Sequence, residues 1–173
     1  MDLLVVGTDG ELTYQAIATA AQVSERTVFR HLPNHTAMRE ALVPLVSERL
    51  SHVAPPESAS ELASYVTRLY EICEKNSGLV RSLVTTNFGR AILAQERTKR
   101  LEKLFQLLSV AAPKRSTAER RRAAATIRYL ASGAAWEFYR HQANLPLGEA
   151  IAAASEAVRG VVRSLGPRET EAE

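Results

Sequence analysis

The sequence predicts an all-α fold in two parts, a short N-terminal region over 1–53 and a larger helical region over 54–173. Three observations carry that prediction. Apolar residues recur at helical spacing along nearly the whole chain, while period-two alternation is almost absent. The interruptions fall at Pro and Gly, notably Ala54-Pro55-Pro56, Pro113 and Pro146. Two Ser-x-x-Glu runs, Ser58 with Glu61 and Ser116 with Glu119, stand where helices would start. A chain of 173 residues with 46% hydrophobic content has enough apolar surface for a substantial core.

Taken in order, Thr13 is a candidate N-cap for a first short helix in which Ile17, Ala20 and Ala21 recur at helical spacing. The pattern breaks at Gln22-Val23, and Ser24 would cap a second helix from Glu25 to His31. Val23, Val28 and Leu32 form an apolar stripe expected to pack the two helices crosswise. Ser24, Glu25, Arg26, Thr27, Arg30 and His31 are left on the outer face. A short helix, a tight turn and a second helix with polar leading residues is the helix-turn-helix plan, whose second helix enters the DNA major groove. An ordinary helical hairpin shares the same spacing.

The run LTYQAIATAAQVSERTVFRHLPNHTAMREAL resembles the DNA-binding signature of TetR-family transcriptional regulators. Thr13, Ile17, Ala18, Ala21, Val23, Ser24, Thr27, Val28, Arg30, His31, Pro33 and Leu42 stand where the family pattern places such residues. About a sixth of the chain is covered closely; the remainder resembles the family in size and all-helical layout. The resemblance implies a helix-turn-helix DNA-binding domain joined to a C-terminal helical ligand-binding and dimerisation domain. It further implies a sequence-specific regulator, a homodimeric repressor released from a double-stranded operator by a small-molecule effector, with no cofactor. Thr13, Ser24, Glu25, Arg26, Thr27, Phe29, Arg30, His31 and His35 would then lie at the DNA.

Four departures from the family pattern bear on that expectation. Phe29 replaces the usual Tyr and lacks the hydroxyl that would meet a phosphate. His35 replaces the usual Lys and carries a charge that depends on pH near neutrality. Gln22 replaces the turn Gly, where positive φ is often needed. Lastly, only Met1-Asp2-Leu3-Leu4-Val5-Val6 precede the turn-like Gly7-Thr8-Asp9-Gly10, fewer than two helical turns. The first helix of the family domain is therefore expected to be largely missing, through either a start further upstream or a shortened member with impaired DNA binding. Over 1–53, four basic residues (Arg26, Arg30, Arg39, Arg49) against six acidic ones leave −2, although phosphate binding calls for positive charge.

A linking helix is expected from about Asn34 to Val53, with Leu42, Leu45, Val46 and Leu50 inward and a kink at Pro44. Ser58 and Glu61 should form a capping box opening a helix to about Asn76. Ser77 to Thr86 reads as a short helix, Asn87 to Gly89 as a break and Arg90 to Ala111 as a long helix. The box at Ser116 and Glu119 should open a helix to about Asn144, and Glu149 to Leu165 is the last, before a frayed polar tail.

In the final helix Leu147, Ile151, Ala154, Val158, Val161 and Leu165 repeat at alternating steps of three and four, a narrow bundle-type seam. With Ile127, Ala134 and Phe138 of the preceding helix, the residues Ile151, Ala154, Val158, Val161 and Leu165 are the candidate dimer interface. Tyr65, Leu69, Cys73, Phe88, Phe105, Tyr129 and Trp136 are the candidate ligand pocket, Tyr129 and Trp136 leading because their polar tips need partners. The basic run from Arg97 to Arg122 lacks interleaved aromatics and reads as a solvated face.

Alternatives are a ligand-binding or dimerising module with impaired DNA binding and a small all-α enzyme. Enzymatic chemistry is not expected, since His31, His35, His52 and His141 show no metal-ligand spacing and no phosphate-binding Gly-rich loop occurs. Cys73 is alone, so no internal disulfide forms, and a buried structural thiol is expected. The absence of an apolar run of about 20 residues points away from a membrane partner and toward the cytoplasm.

Overall fold

Each helix of the chain begins or ends where a side chain or a special backbone conformation meets its unpaired groups. The computed structural model describes residues 14–50 and 53–166, and among these no strand occurs. The chain divides into two compact units: Met1–His52 with Ile72–Arg97, and Val53–Glu71 with Thr98–Glu173. The second unit begins at Val53, and 72–97 groups with the first.

The first unit opens with α1 (Tyr14–Ala21), α2 (Glu25–His31) and α3 (His35–Leu50). Asn34 caps α3, its Oδ1 accepting the Ala37 N–H at 2.9 Å. Pro44 lies inside α3 without ending it. Val46 packs with Leu79 and Leu83 of α5 (Ser77–Thr85) and Ile92 of α6 (Asn87–Ala111), flanked by Leu42, Val43, Leu50 and Phe88. Leu45, expected inward, is exposed; steps of four from Met38 through Leu42 and Val46 to Leu50 define the buried stripe, and Val43 takes the remaining inward place.

The expected break over 87–89 is instead one residue, Thr86, in extended conformation. Its Oγ1 accepts the Gly89 N–H at 2.9 Å and starts α6 at Asn87. Gly89 is buried against the end of α5, where an added Cβ would meet backbone atoms of Ser82 and Leu83.

Cys73 is the buried thiol that its solitary occurrence predicts. Burial, helped by the nearby Glu74 carboxylate, pushes it up from 9.0 to about 12. The sign follows from which state loses the proton first. An unfolded chain ionises at the ordinary value, so this contribution to stability is intact below pH 9.0 and is lost as pH rises from 9.0 to about 12. Iodoacetamide should therefore leave Cys73 unmodified in native protein at neutral pH and alkylate it in denaturant; ready alkylation of native protein would contradict this placement.

In the second unit a 3₁₀ turn (Ala59–Glu61) leads into α4 (Leu62–Lys75). The expected capping box is not made there. Ser58 Oγ donates to Glu61 Oε1 at 2.9 Å instead of accepting a backbone N–H, and Glu61 Oε2 takes the Glu57 N–H at 3.2 Å. Glu57 is the first residue after Pro55-Pro56 with an N–H to offer. That bond, then the Ser58 hydroxyl and then Arg68, hold the Glu61 carboxyl below its usual value.

The box at Ser116 is complete and opens α7 (Thr117–Leu130). The single long helix expected from there is broken: Ala131 and Ser132 leave the helical region, and Ser132 caps a new helix, α8 (Gly133–Glu137). Tyr70 donates its hydroxyl to the Leu130 carbonyl at the break, 3.0 Å away, and both residues are buried. A π-helical turn (Phe138–Gln142) follows, closed by the Ala143 N–H on the Phe138 carbonyl. The last helix, α9 (Leu147–Ser164), starts two residues earlier than expected, directly after Pro146. Ala150, Ala154 and Val158 of α9 are fully buried, and Ser155 Oγ donates to the Ala63 carbonyl at 3.3 Å, tying α9 to α4. Arg115 bonds Glu119 and the carbonyls of Leu165 and Gly166. The polar tail beyond 166 lies outside the described residues.

Candidate nucleic-acid interface and ligand cavity

The turn between α1 and α2 is built by backbone geometry. Gln22 adopts φ 54°, the left-handed conformation for which glycine is favoured. Its N–H bonds the Thr19 carbonyl at 3.2 Å, and the Val23 N–H bonds the Ala18 carbonyl at 3.0 Å, the paired closure of a Schellman motif. One residue on, Ser24 caps α2 by accepting the Thr27 N–H at 3.2 Å, with the Thr27 hydroxyl 3.0 Å away. The strain at Gln22 makes Gln22→Gly a stabilising change of about 0.5–1 kcal/mol, the left-handed penalty less glycine's entropic cost. Thermal unfolding checks this, and a lower midpoint would contradict it.

Val28 points α2 into the unit and is 5% exposed, whereas Val23, expected in the same stripe, is 42% exposed as the residue that closes the Schellman turn. Ser24, Glu25, Arg26, Phe29, Arg30 and His31 are exposed, and Thr27 is half-buried. Thr13 lies outside the described residues. Phe29, 57% exposed, stacks at a tilt on Tyr14 with centroids 5.7 Å apart. Tyr14 is also 6.2 Å from His35, which meets Phe88 edge-on at 6.4 Å. His35 is thus exposed yet held in an aromatic row joining α1, α3 and α6. Over 14–50, Arg26, Arg30, Arg39 and Arg49 face Glu25, Glu40 and Glu48, four against three, so the surface charge is nearly balanced.

The second unit contains a cavity of about 620 Å³. Its floor is Leu62, Leu104, Ile127 and Ala131, all buried, and its walls include Pro55, Pro56, Tyr65, Leu107 and Val110. Arg100, Lys103 and Arg128 bring three positive charges to the lining, and Glu57 one negative charge. Of the residues expected in a pocket, Tyr65 lines this cavity; the others do not. Trp136 is 0% exposed, with its indole edge-on to His141 at 5.2 Å, and serves as core. Tyr129 is 58% exposed. Leu69 is buried, Phe105 lies under the Arg121 guanidinium at 5.8 Å, and Cys73 and Phe88 belong to the first unit. The missed lining residues had a visible signal, since Leu104, Leu107 and Ala111 share a helical face that starts at Arg100 and Lys103.

Of the expected dimer residues, Ile127, Ala154 and Val158 are 0% exposed within their own chain and have no surface left for a second copy. Their spacing marked the core of the second unit. Phe138 is exposed, and Ala134, Ile151, Val161 and Leu165 are half-buried.

No protein-family profile, curated protein or solved structure matches the chain. Among the described residues no three His, Cys, Asp or Glu side chains gather as a metal site requires, and no helix is long and apolar enough to cross a membrane.

Proposed function

We propose that this chain is a DNA-binding transcriptional regulator, a homodimer whose hold on an operator is released by a small molecule. The observation that carries the reading is the α1–α2 pair. Two short helices are joined by a three-residue turn, Val28 anchors the second, and its polar residues remain at the surface. Such an arrangement suits entry into a major groove, with Arg26, Thr27 and Arg30 as the base- and phosphate-directed groups. Two-fold pairing would place two such helices on paired half-sites, and Phe138, Ile151, Val161 and Leu165 supply apolar surface for it. The cavity of the second unit is the natural effector site.

A second reading has its own support. Balanced charge, Phe29 in place of a phosphate-binding hydroxyl and His35 held among aromatic rings favour a ligand-binding dimer with weak DNA binding. Fluorescence anisotropy on DNA taken from upstream of the protein's own gene, over a range of salt, separates the two. The regulator reading expects saturable binding, and Arg26→Ala with Arg30→Ala should reduce the magnitude of the salt slope by about 2 if both meet phosphates. Absence of binding at low salt, or binding indifferent to both substitutions, would leave the second reading standing.

A further inference from the structure

We infer that the cavity of the second unit takes a single amphipathic anion, an elongated apolar body with one carboxylate-like head. This deepens the reading of that cavity as the effector site. A volume of about 620 Å³ lies inside the range of roughly 300–1,000 Å³ typical of sites for small organic ligands. Its floor and much of its wall are hydrocarbon, which rewards an apolar body and offers few partners to a sugar or a nucleotide. The charge is one-sided, three cations to one carboxylate.

Arg100 and Lys103 are exposed, three residues apart on α6, and both line the cavity. Arg128 is half-buried in the wall, held by an Nη1 bond to the Ala131 carbonyl at 3.2 Å. An anion in the cavity meets cationic groups from two helices, while an ammonium head would be repelled by the same groups. Val110 lines the same cavity and is 84% exposed, an apolar surface that a hydrocarbon body would cover. Free amphiphiles and bilayer lipids share this head chemistry; a cavity of this volume with a buried apolar floor fits the free molecule.

Calorimetric titration of the full chain with dodecanoate, below its micellar concentration, tests the inference without DNA. Failure of operator binding therefore leaves it intact, and failure here leaves operator binding intact. One dodecanoate should bind per chain, with affinity falling up to about fourfold per methylene toward decanoate and octanoate. Dodecanol should bind at least about fivefold more weakly, and dodecyltrimethylammonium more weakly still. Arg100→Gln with Lys103→Gln should bring dodecanoate close to dodecanol and leave dodecanol unchanged. Leu107→Trp, which fills the cavity, should weaken both, with circular dichroism verifying that each variant folds. No binding by dodecanoate, equal binding by the ammonium amphiphile, or an unchanged dodecanoate affinity in Leu107→Trp would overturn the inference. Binding confined to phosphatidylglycerol vesicles would overturn it in favour of a lipid surface.

Discussion

Gly89→Ala should destabilise the first unit by about 3 kcal/mol or more, at the severe end of overpacking. An added Cβ would sit 2.4 Å from the Leu83 Cα, 2.6 Å from the Ser82 carbonyl oxygen and 2.7 Å from that of Leu83. All three are backbone atoms, so no rotamer change relieves the clash. The ends of α5 and α6 would have to separate, and those helices carry Leu79, Leu83 and Ile92 of the core. The Thr86 cap on the Gly89 N–H would be strained by the same movement. Urea unfolding followed by circular dichroism measures the loss. A variant within about 1 kcal/mol of the parent would show that the helix ends can yield.

Trp136→Ala should cost about 3–5 kcal/mol, the range for removing a large buried aromatic. Trp136 heads the fully buried side chains, and α8, which carries it, has five residues. A helix that short has no stability of its own and persists through packing. Removing the indole would leave a void between the capped break at Ser132 and the π-helical turn, where the His141 ring rests against it. Thermal unfolding by circular dichroism is the measurement, with Trp136→Phe as an intermediate case. A loss below about 1 kcal/mol would mean that the surrounding side chains collapse into the space.

The local features of this chain were legible in its sequence. Ser24, Ser116 and the turn at Gln22 act over three or four residues, and the residue types needed for each are written side by side. The same letters at Ser58 and Glu61 gave a different outcome because the neighbouring prolines changed which N–H lay within reach of the carboxylate. Longer-range features were not legible. Ile127, Ala154 and Val158 form an apolar pattern that suits a core and an interface equally, and only burial separates them. The grouping of Leu79 and Leu83 with Val46 depends on contacts between distant parts of the chain. Trp136 and Tyr129, chosen for their polar tips, went to opposite extremes of exposure, since a polar tip is compatible with either. The cavity was hidden because two of its three cations, Arg100 and Lys103, belong to a run that looks like ordinary surface charge.

The burial of Cys73 makes the protein suited to site-directed labelling. Its only cysteine is buried, and burial pushes its thiol well above the usual range, so an engineered surface thiol is expected to be the one that reacts at neutral pH without removal of the native residue. Glu25→Cys, at the exposed start of α2, would carry a spin label. In a two-fold pair of the kind proposed, the distance between two such labels would read the separation of the two α2 helices, and a shift on adding dodecanoate would register the proposed switch as a change in length.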